Sequence, residues 1–169
     1  MGSSTVIVSN IHFDRLYKRL SPDMRLLYFQ LLSHPNKNKA GYYQIDLGIQ
    51  SLLREKDEES CRKELSVQTG LWMYDPGEDL VLLPTYLKYN KIGSPKTLLG
   101  MKYELEQLPM SDLCLEFIYR LNEYTEGKGL DYIPQRMLKY AKARIDQKVK
   151  NGEASSVHEA VVYNLILSL

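Results

Sequence analysis

Apolar residues recur at Met24, Leu27, Tyr28, Leu31 and Leu32, the spacing of one buried helical face, and Pro35 stops the pattern. Ser21-Pro22-Asp23 stands just ahead of it: a hydroxyl to cap free N–H groups, a proline at the first helical position, and an acid at the positive end. The spacing predicts an earlier amphipathic helix over residues 11–20, with Ile11, Leu16 and Leu20 on its apolar side, and the β-branched run 5–8 predicts a strand. A second short strand is expected at 41–45. Asp46 then caps a helix carrying Leu47, Ile49, Leu52 and Leu53, and Asp57-Glu58-Glu59 opens another in which Cys61 and Leu65 share a face. Gly70 ends it. Residues 71–74 and 80–83 pair across the turn Asp75-Pro76-Gly77-Glu78-Asp79. The second of these strands is apolar on both faces, so it is expected to be covered on both sides.

The pattern after the hairpin is helical. Residues 86–91 mix tyrosine with lysine, and Ser94-Pro95 opens a helix bearing Leu98, Leu99, Met101, Tyr103 and Leu105. Pro109 ends that helix, and Ser111-Asp112 caps the next, to about residue 124. Glu126-Gly127-Lys128-Gly129 reads as a linker. A basic helix over about 134–149 and an apolar helix over 156–169 complete the chain. The expected organisation is a first domain over residues 1–92, a helical extension packing on it over 93–126, and a basic C-terminal helical segment over 127–169.

Helix, strand, helix, helix, hairpin is the order of a winged helix-turn-helix. The fold class expected is therefore α+β and mostly helical: a winged helix-turn-helix with a small sheet and additional C-terminal helices. That fold commonly holds nucleic acid, with a helix in the groove and the hairpin on the backbone.

Composition changes this picture in two places. The 169 residues are 44% apolar and 25% charged, ordinary for a soluble globular protein. No apolar run approaches the roughly 20 residues of a membrane span. The first residues lack the basic and apolar regions of a secretory signal, and the cysteine usage fits a reducing cytoplasm. The two cysteines, Cys61 and Cys114, are far apart and suggest neither a disulfide framework nor a zinc site. Thirteen tyrosines against three phenylalanines imply many rings half-buried at the rim of a core. Net charge is only +1, but it is unevenly placed: residues 128–150 hold seven Lys/Arg against two Asp/Glu.

The candidate chemistry is that of anion binding. In the expected recognition helix Arg62 and Lys63 face outward, with Ser66 as a polar contact. Arginine pairs with guanine edges, and lysine contacts phosphate as a point charge. Glu58, Glu59 and Glu64 repel phosphate, so a solvated face of paired charges is an equal reading of this helix. Lys88, Lys91 and Lys96, interleaved with Tyr86 and Tyr89, form a basic-aromatic cluster, and Ser94-Pro95-Lys96 directs backbone N–H groups at an anion. Lys37 and Lys39 read as ordinary loop charges. The basic C-terminal helix offers a second basic surface through Arg136, Lys139, Lys142 and Arg144, although a packed helix with a solvated side explains the same pattern. His12, His34 and His158 are scattered, with no HExxH, P-loop or GxSxG, so no enzyme, metal site or cofactor is expected.

The ordered set Leu20-Ser21-Pro22-Asp23, Leu26-Leu27-Tyr28, Leu31-Leu32-Ser33-His34-Pro35-Asn36, Asn38 and Ala40-Gly41-Tyr42-Tyr43 resembles the N-terminal domain of phage-type replication initiation proteins. These are the replisome-organiser, DnaD-like winged-helix proteins of phages and prophages of Gram-positive bacteria. Tyr74-Asp75, Leu87-Lys88-Tyr89 and Ser94-Pro95-Lys96 continue the likeness in order, so that it covers roughly residues 11–125. The resemblance implies a winged helix that binds origin DNA, self-associates, for example as a homodimer, and helps load a helicase through contact with the helicase or its loader. The expected function is DNA binding in replication initiation. A winged-helix protein–protein interaction module and a transcriptional regulator are the alternatives.

Overall fold

In a computed structural model of the chain, residues 14–90, 92 and 94–168 are described, and they divide into two units, residues 1–90 and 91–169. The class is α+β and mostly helical, with one small antiparallel sheet. Each unit is considered by itself.

In the first unit the starts of three helices are capped as the sequence suggests. The helix expected over 11–20 begins at α1 (Arg15–Arg19), where Asp14, expected within it, is the cap, its carboxylate accepting from Leu16 N at 2.7 Å. Ser21 caps α2 (Pro22–Ser33) by accepting from Met24 N at 3.3 Å. Asp46 caps α3 (Leu47–Arg54), and Asp57 caps α4 (Glu58–Leu65). The expected strand at 5–8, and Ile11, lie outside the described residues.

Strands β1 (Tyr42–Gln44), β2 (Met73–Asp75) and β3 (Leu80–Leu82) form a sheet in the order β1-β3-β2. Tyr43 and Tyr74 both stand opposite Val81 in the register. The doubly apolar β3 is the central strand, buried at every position, which is why its sequence does not alternate. Leu27, Tyr28, Leu31, Tyr43, Leu65, Leu71 and Trp72 close the core over the sheet. Trp72 stacks on Tyr28 and donates its indole N–H to Leu65 O at 2.9 Å. Leu52 and Leu53, expected on an apolar helix face, are 81% and 53% exposed. The buried side of α3 instead carries Leu47, Gln50 and Arg54, so the helix lies turned from the simple apolar count. A short helix α5 (Tyr86–Tyr89) ends the unit.

The second unit contains α6 (Pro95–Glu106), α7 (Leu113–Thr125), a 3-10 turn (Leu130–Tyr132), α8 (Gln135–Lys150) and α9 (Val157–Ser168). Residues 93–126 and 127–169, read from sequence as separate segments, are grouped in this one unit. The expected linker at 126–129 is an interior turn of it. Glu126 and Gly127 take left-handed backbone, and a Cβ on Gly129 would lie 2.9 Å from Leu121. No helix among the described residues is long and apolar enough to cross a membrane.

Candidate nucleic-acid interface

The residues preceding α4 form a charge network that gives no signal in the sequence. Arg54, its side chain only 2% exposed, contacts Asp23 of α2 at 2.9 Å and Glu64 of α4 at 3.0 Å. It also donates to Asp23 O at 3.3 Å. Lys56 joins the same two carboxylates. Its hydrogen bond to Asp23 is the main reason that carboxyl is held below its ordinary pKa, and its bond to Glu64 raises the Lys56 ammonium. Glu64, read as an acid that would repel phosphate, is thus offset by two cations. The acids that α4 leaves at its surface are Glu58 and Glu59.

Arg62 does not face outward as the spacing suggests. Its guanidinium reaches the hairpin turn, where Nη1 and Nη2 donate to the two Asp79 oxygens at 2.5 and 2.9 Å. It also donates to Pro76 O at 3.2 Å. The Tyr74 hydroxyl donates to the same carboxylate at 2.5 Å, and burial followed by that bond raises the Tyr74 pKa. Asp79 itself sits in left-handed backbone with φ 49°. The turn therefore presents an acid to α4, and the arginine closes on it in the bidentate geometry that guanidinium favours. Lys63 is 74% exposed and pairs loosely with Glu59 at 3.6 Å, one turn away. Ser66 is exposed but serves the helix end, donating to Arg62 O at 2.8 Å.

Around α5 the structure assembles a basic-aromatic group only partly visible in the sequence. Lys37, from the turn before β1, donates to the Tyr86 hydroxyl at 2.8 Å and lies 4.4 Å from that ring's centre. Lys88 is exposed, with its ammonium 5.4 Å from the Tyr89 ring centre. Lys37 has the sequence context of an ordinary loop charge, since nothing local reveals a partner 49 positions away. Lys91 lies outside the described residues. Lys96 belongs to the second unit, exposed in the first turn of α6. Of the backbone N–H groups there, that of Thr97 is taken by Ser94 Oγ at 3.2 Å.

The basic helix α8 is divided between structural and exposed cations. Arg136 donates to Leu105 O at 3.0 Å and to Leu108 O at 2.5 Å, closing the end of α6. Arg144 pairs with Asp112 through Nε at 2.6 Å and Nη2 at 2.5 Å, and these bonds hold the Asp112 carboxyl below its ordinary pKa. Lys148 pairs with Glu159 at 2.5 Å. Lys139 and Lys142 are exposed and have no hydrogen-bond or ion-pair partner among the described residues.

Cys61 and Cys114 are buried and unpaired, and burial raises the Cys114 thiol to about 12. Among the described residues, no group of three or more His, Cys, Asp or Glu side chains is arranged to hold a metal ion. No protein-family model, curated protein or solved structure matches the chain.

Proposed function

We propose that this chain is a winged-helix DNA-binding protein of phage or prophage origin, acting in the cytoplasm in replication initiation, without catalysis. The single observation that carries the reading is the sheet order β1-β3-β2 with α3 and α4 immediately before the β2–β3 hairpin. In a winged helix the first strand pairs with the last, and the second of two adjacent helices lies beside the hairpin. Arg62 and Asp79 supply that fixed relation here.

Phosphate contact, rather than base reading, is the mode the charges support. Arg62 is engaged within the protein, whereas Lys63 and Lys88 are exposed. Lysines without a groove-reading arginine give affinity that depends on salt more than on sequence. A helicase or its loader, and a second copy of the chain, remain the proposed protein partners.

The test is fluorescence anisotropy with labelled duplex and single-stranded DNA over a salt series. Micromolar binding that weakens with salt is expected, with a slope corresponding to about two to four phosphate contacts. Lys63→Glu with Lys88→Glu should remove most of it. A folded sample that binds neither DNA at low salt would defeat the proposal.

One observation favours a second reading, a protein–protein interaction module. Glu58 and Glu59 of α4 and Glu78 of the hairpin turn are all exposed acids on the elements a DNA reader uses. Under that reading the double charge reversal leaves the partner's binding to other surfaces intact.

A further inference from the structure

Helix α9 is strongly apolar in sequence, yet only Glu159 and Val162 are buried along it. Val157 and Leu167 are 77% and 59% exposed, and Leu165 and Ile166 are partly so. The helix is nonetheless firmly seated. His158 stacks on Tyr119 with ring centres 3.8 Å apart and meets Glu116 at 2.6 Å, while Glu159 takes the Lys148 ion pair. The helix is thus fixed in place with apolar surface left over.

Of these residues Ile166, together with Tyr163, borders a groove between α8 and α9. A hollow of about 400 Å³ is lined by Ile145, Val149 and Tyr163 among others. A second, of about 150 Å³, is lined by Leu138, Ile166, Lys139 and Lys142. Lys142 of the second and Asp146 of the first are one turn apart on α8, so the hollows follow one another along the same helix pair.

The charges along the groove identify what it fits. The α8 cations that hold the unit together, Arg136, Arg144 and Lys148, all have internal partners. Lys139, Lys142 and Lys150 line the groove and have no hydrogen bond or ion pair among the described residues. The acid of the lining, Asp146, already accepts from the Tyr163 hydroxyl. An apolar floor with a cationic edge complements an amphipathic partner whose edge is acidic. Nucleic acid would use the lysines but leave the apolar floor uncovered. A second copy placed by two-fold symmetry would set lysine edge against lysine edge.

We infer that the α8–α9 groove docks an acidic amphipathic helix from a partner protein, with its apolar face on Val149, Tyr163 and Ile166 and its carboxylates on Lys139, Lys142 and Lys150. From Lys139 to Lys150 the edge runs roughly 16 Å at 1.5 Å per residue, so the docked segment is about three turns long. This inference is independent of DNA binding by the first unit.

The test uses the full chain and a set of fluorescein-labelled amphipathic peptides, about 15 residues long, with Leu on one face and Glu along its flank. Twins carrying Lys in place of Glu are the controls. Micromolar binding of the acidic peptides only is expected, with roughly tenfold loss in Lys139→Glu/Lys142→Glu and in Val149→Asp. Amide shifts on titration should centre on α8 and α9. Melting curves of the variants should match the wild type, since these side chains are exposed. Any of three results overturns the inference: no acidic peptide binds at low salt, the shifts fall elsewhere, or a DNA oligonucleotide occupies the groove with the same dependence on Val149. Sedimentation showing a dimer that Val149→Asp dissolves would assign the groove to self-association and overturn it as well.

Discussion

Arg62 of α4 and Asp79 of the hairpin turn are joined by two hydrogen bonds, 2.5 and 2.9 Å long, across 17 positions of sequence. The residue best suited by type to read a base is therefore a brace between a helix and a turn. Both side chains retain some solvent access, 33% and 26%. The bidentate geometry makes the pair worth more than a simple surface ion pair. Arg62→Ala and Asp79→Ala should each lower thermal stability, and the double variant should be little worse than either, which a double-mutant cycle measures. DNA affinity of folded Arg62→Ala should change less than that of Lys63→Glu. The opposite ranking in anisotropy would mean that Arg62 leaves Asp79 to meet DNA.

Gly41 is required by both backbone and packing. Its φ is +67°, and a Cβ there would lie 2.6 Å from the Tyr86 ring. Its carbonyl also accepts from Leu83 N at 2.8 Å, which holds the end of β3 to the turn. Gly41→Ala should destabilise the first unit by about 3 kcal/mol, combining left-handed strain with overpacking. Urea titration followed through Trp72 reads this directly. A loss below ~1 kcal/mol would show that Tyr86 shifts without cost.

What was legible in the sequence is what a side chain does to its own backbone. Ser21, Asp46 and Asp57 cap the helices expected of them, accepting from the N–H three residues on at 3.3, 3.1 and 2.8 Å. The unbroken apolar run of β3 gave its burial, because a central strand covered on both faces cannot alternate. Contacts between distant positions were not legible. Asp23 lies 31 positions from Arg54 and Tyr86 lies 49 from Lys37, and no local pattern marks either contact. Counting apolar residues also misjudged Leu52 and Leu53, because the buried side of α3 is partly made by Gln50 and Arg54. The glycines at 127 and 129 suggested a linker. Their composition reflects a left-handed turn and a close approach to Leu121.

His34 should make the first unit acid-sensitive. It is buried, stacked on Tyr43 with ring centres 5.5 Å apart, and its Nδ1 accepts from Asn36 N at 3.1 Å. That bond needs the neutral ring. Burial lowers its pKa, so the unfolded chain takes up the proton first as the solution is acidified. The neutral ring's stability is fully present above the unfolded pKa of about 6.5 and is lost as pH falls from there through the lower folded value. His34→Gln should flatten the fall of unfolding free energy as pH drops below about 6.5, relative to wild type. An NMR titration in which the His34 ring protonates at or above the ordinary value would contradict this.

Arg54 should be the most sensitive cation in the first unit. Its side chain is 2% exposed and bridges Asp23 of α2 and Glu64 of α4, so α2, α3 and α4 meet at one guanidinium. Removing it leaves Glu64, 20% exposed, with only Lys56 to offset its charge. Breaking a buried pair from one side typically costs 3–5 kcal/mol. Asp23 is 58% exposed and can return to water, which favours the lower end, about 3 kcal/mol, for Arg54→Ala. Arg54→Met keeps the packed stem and should lose less. Adding Glu64→Gln to Arg54→Met should recover part of the loss, because no charge is then left uncompensated. Chemical denaturation of the three variants checks the order. Equal stability of Arg54→Ala and wild type would show that water reaches the site and screens the acids.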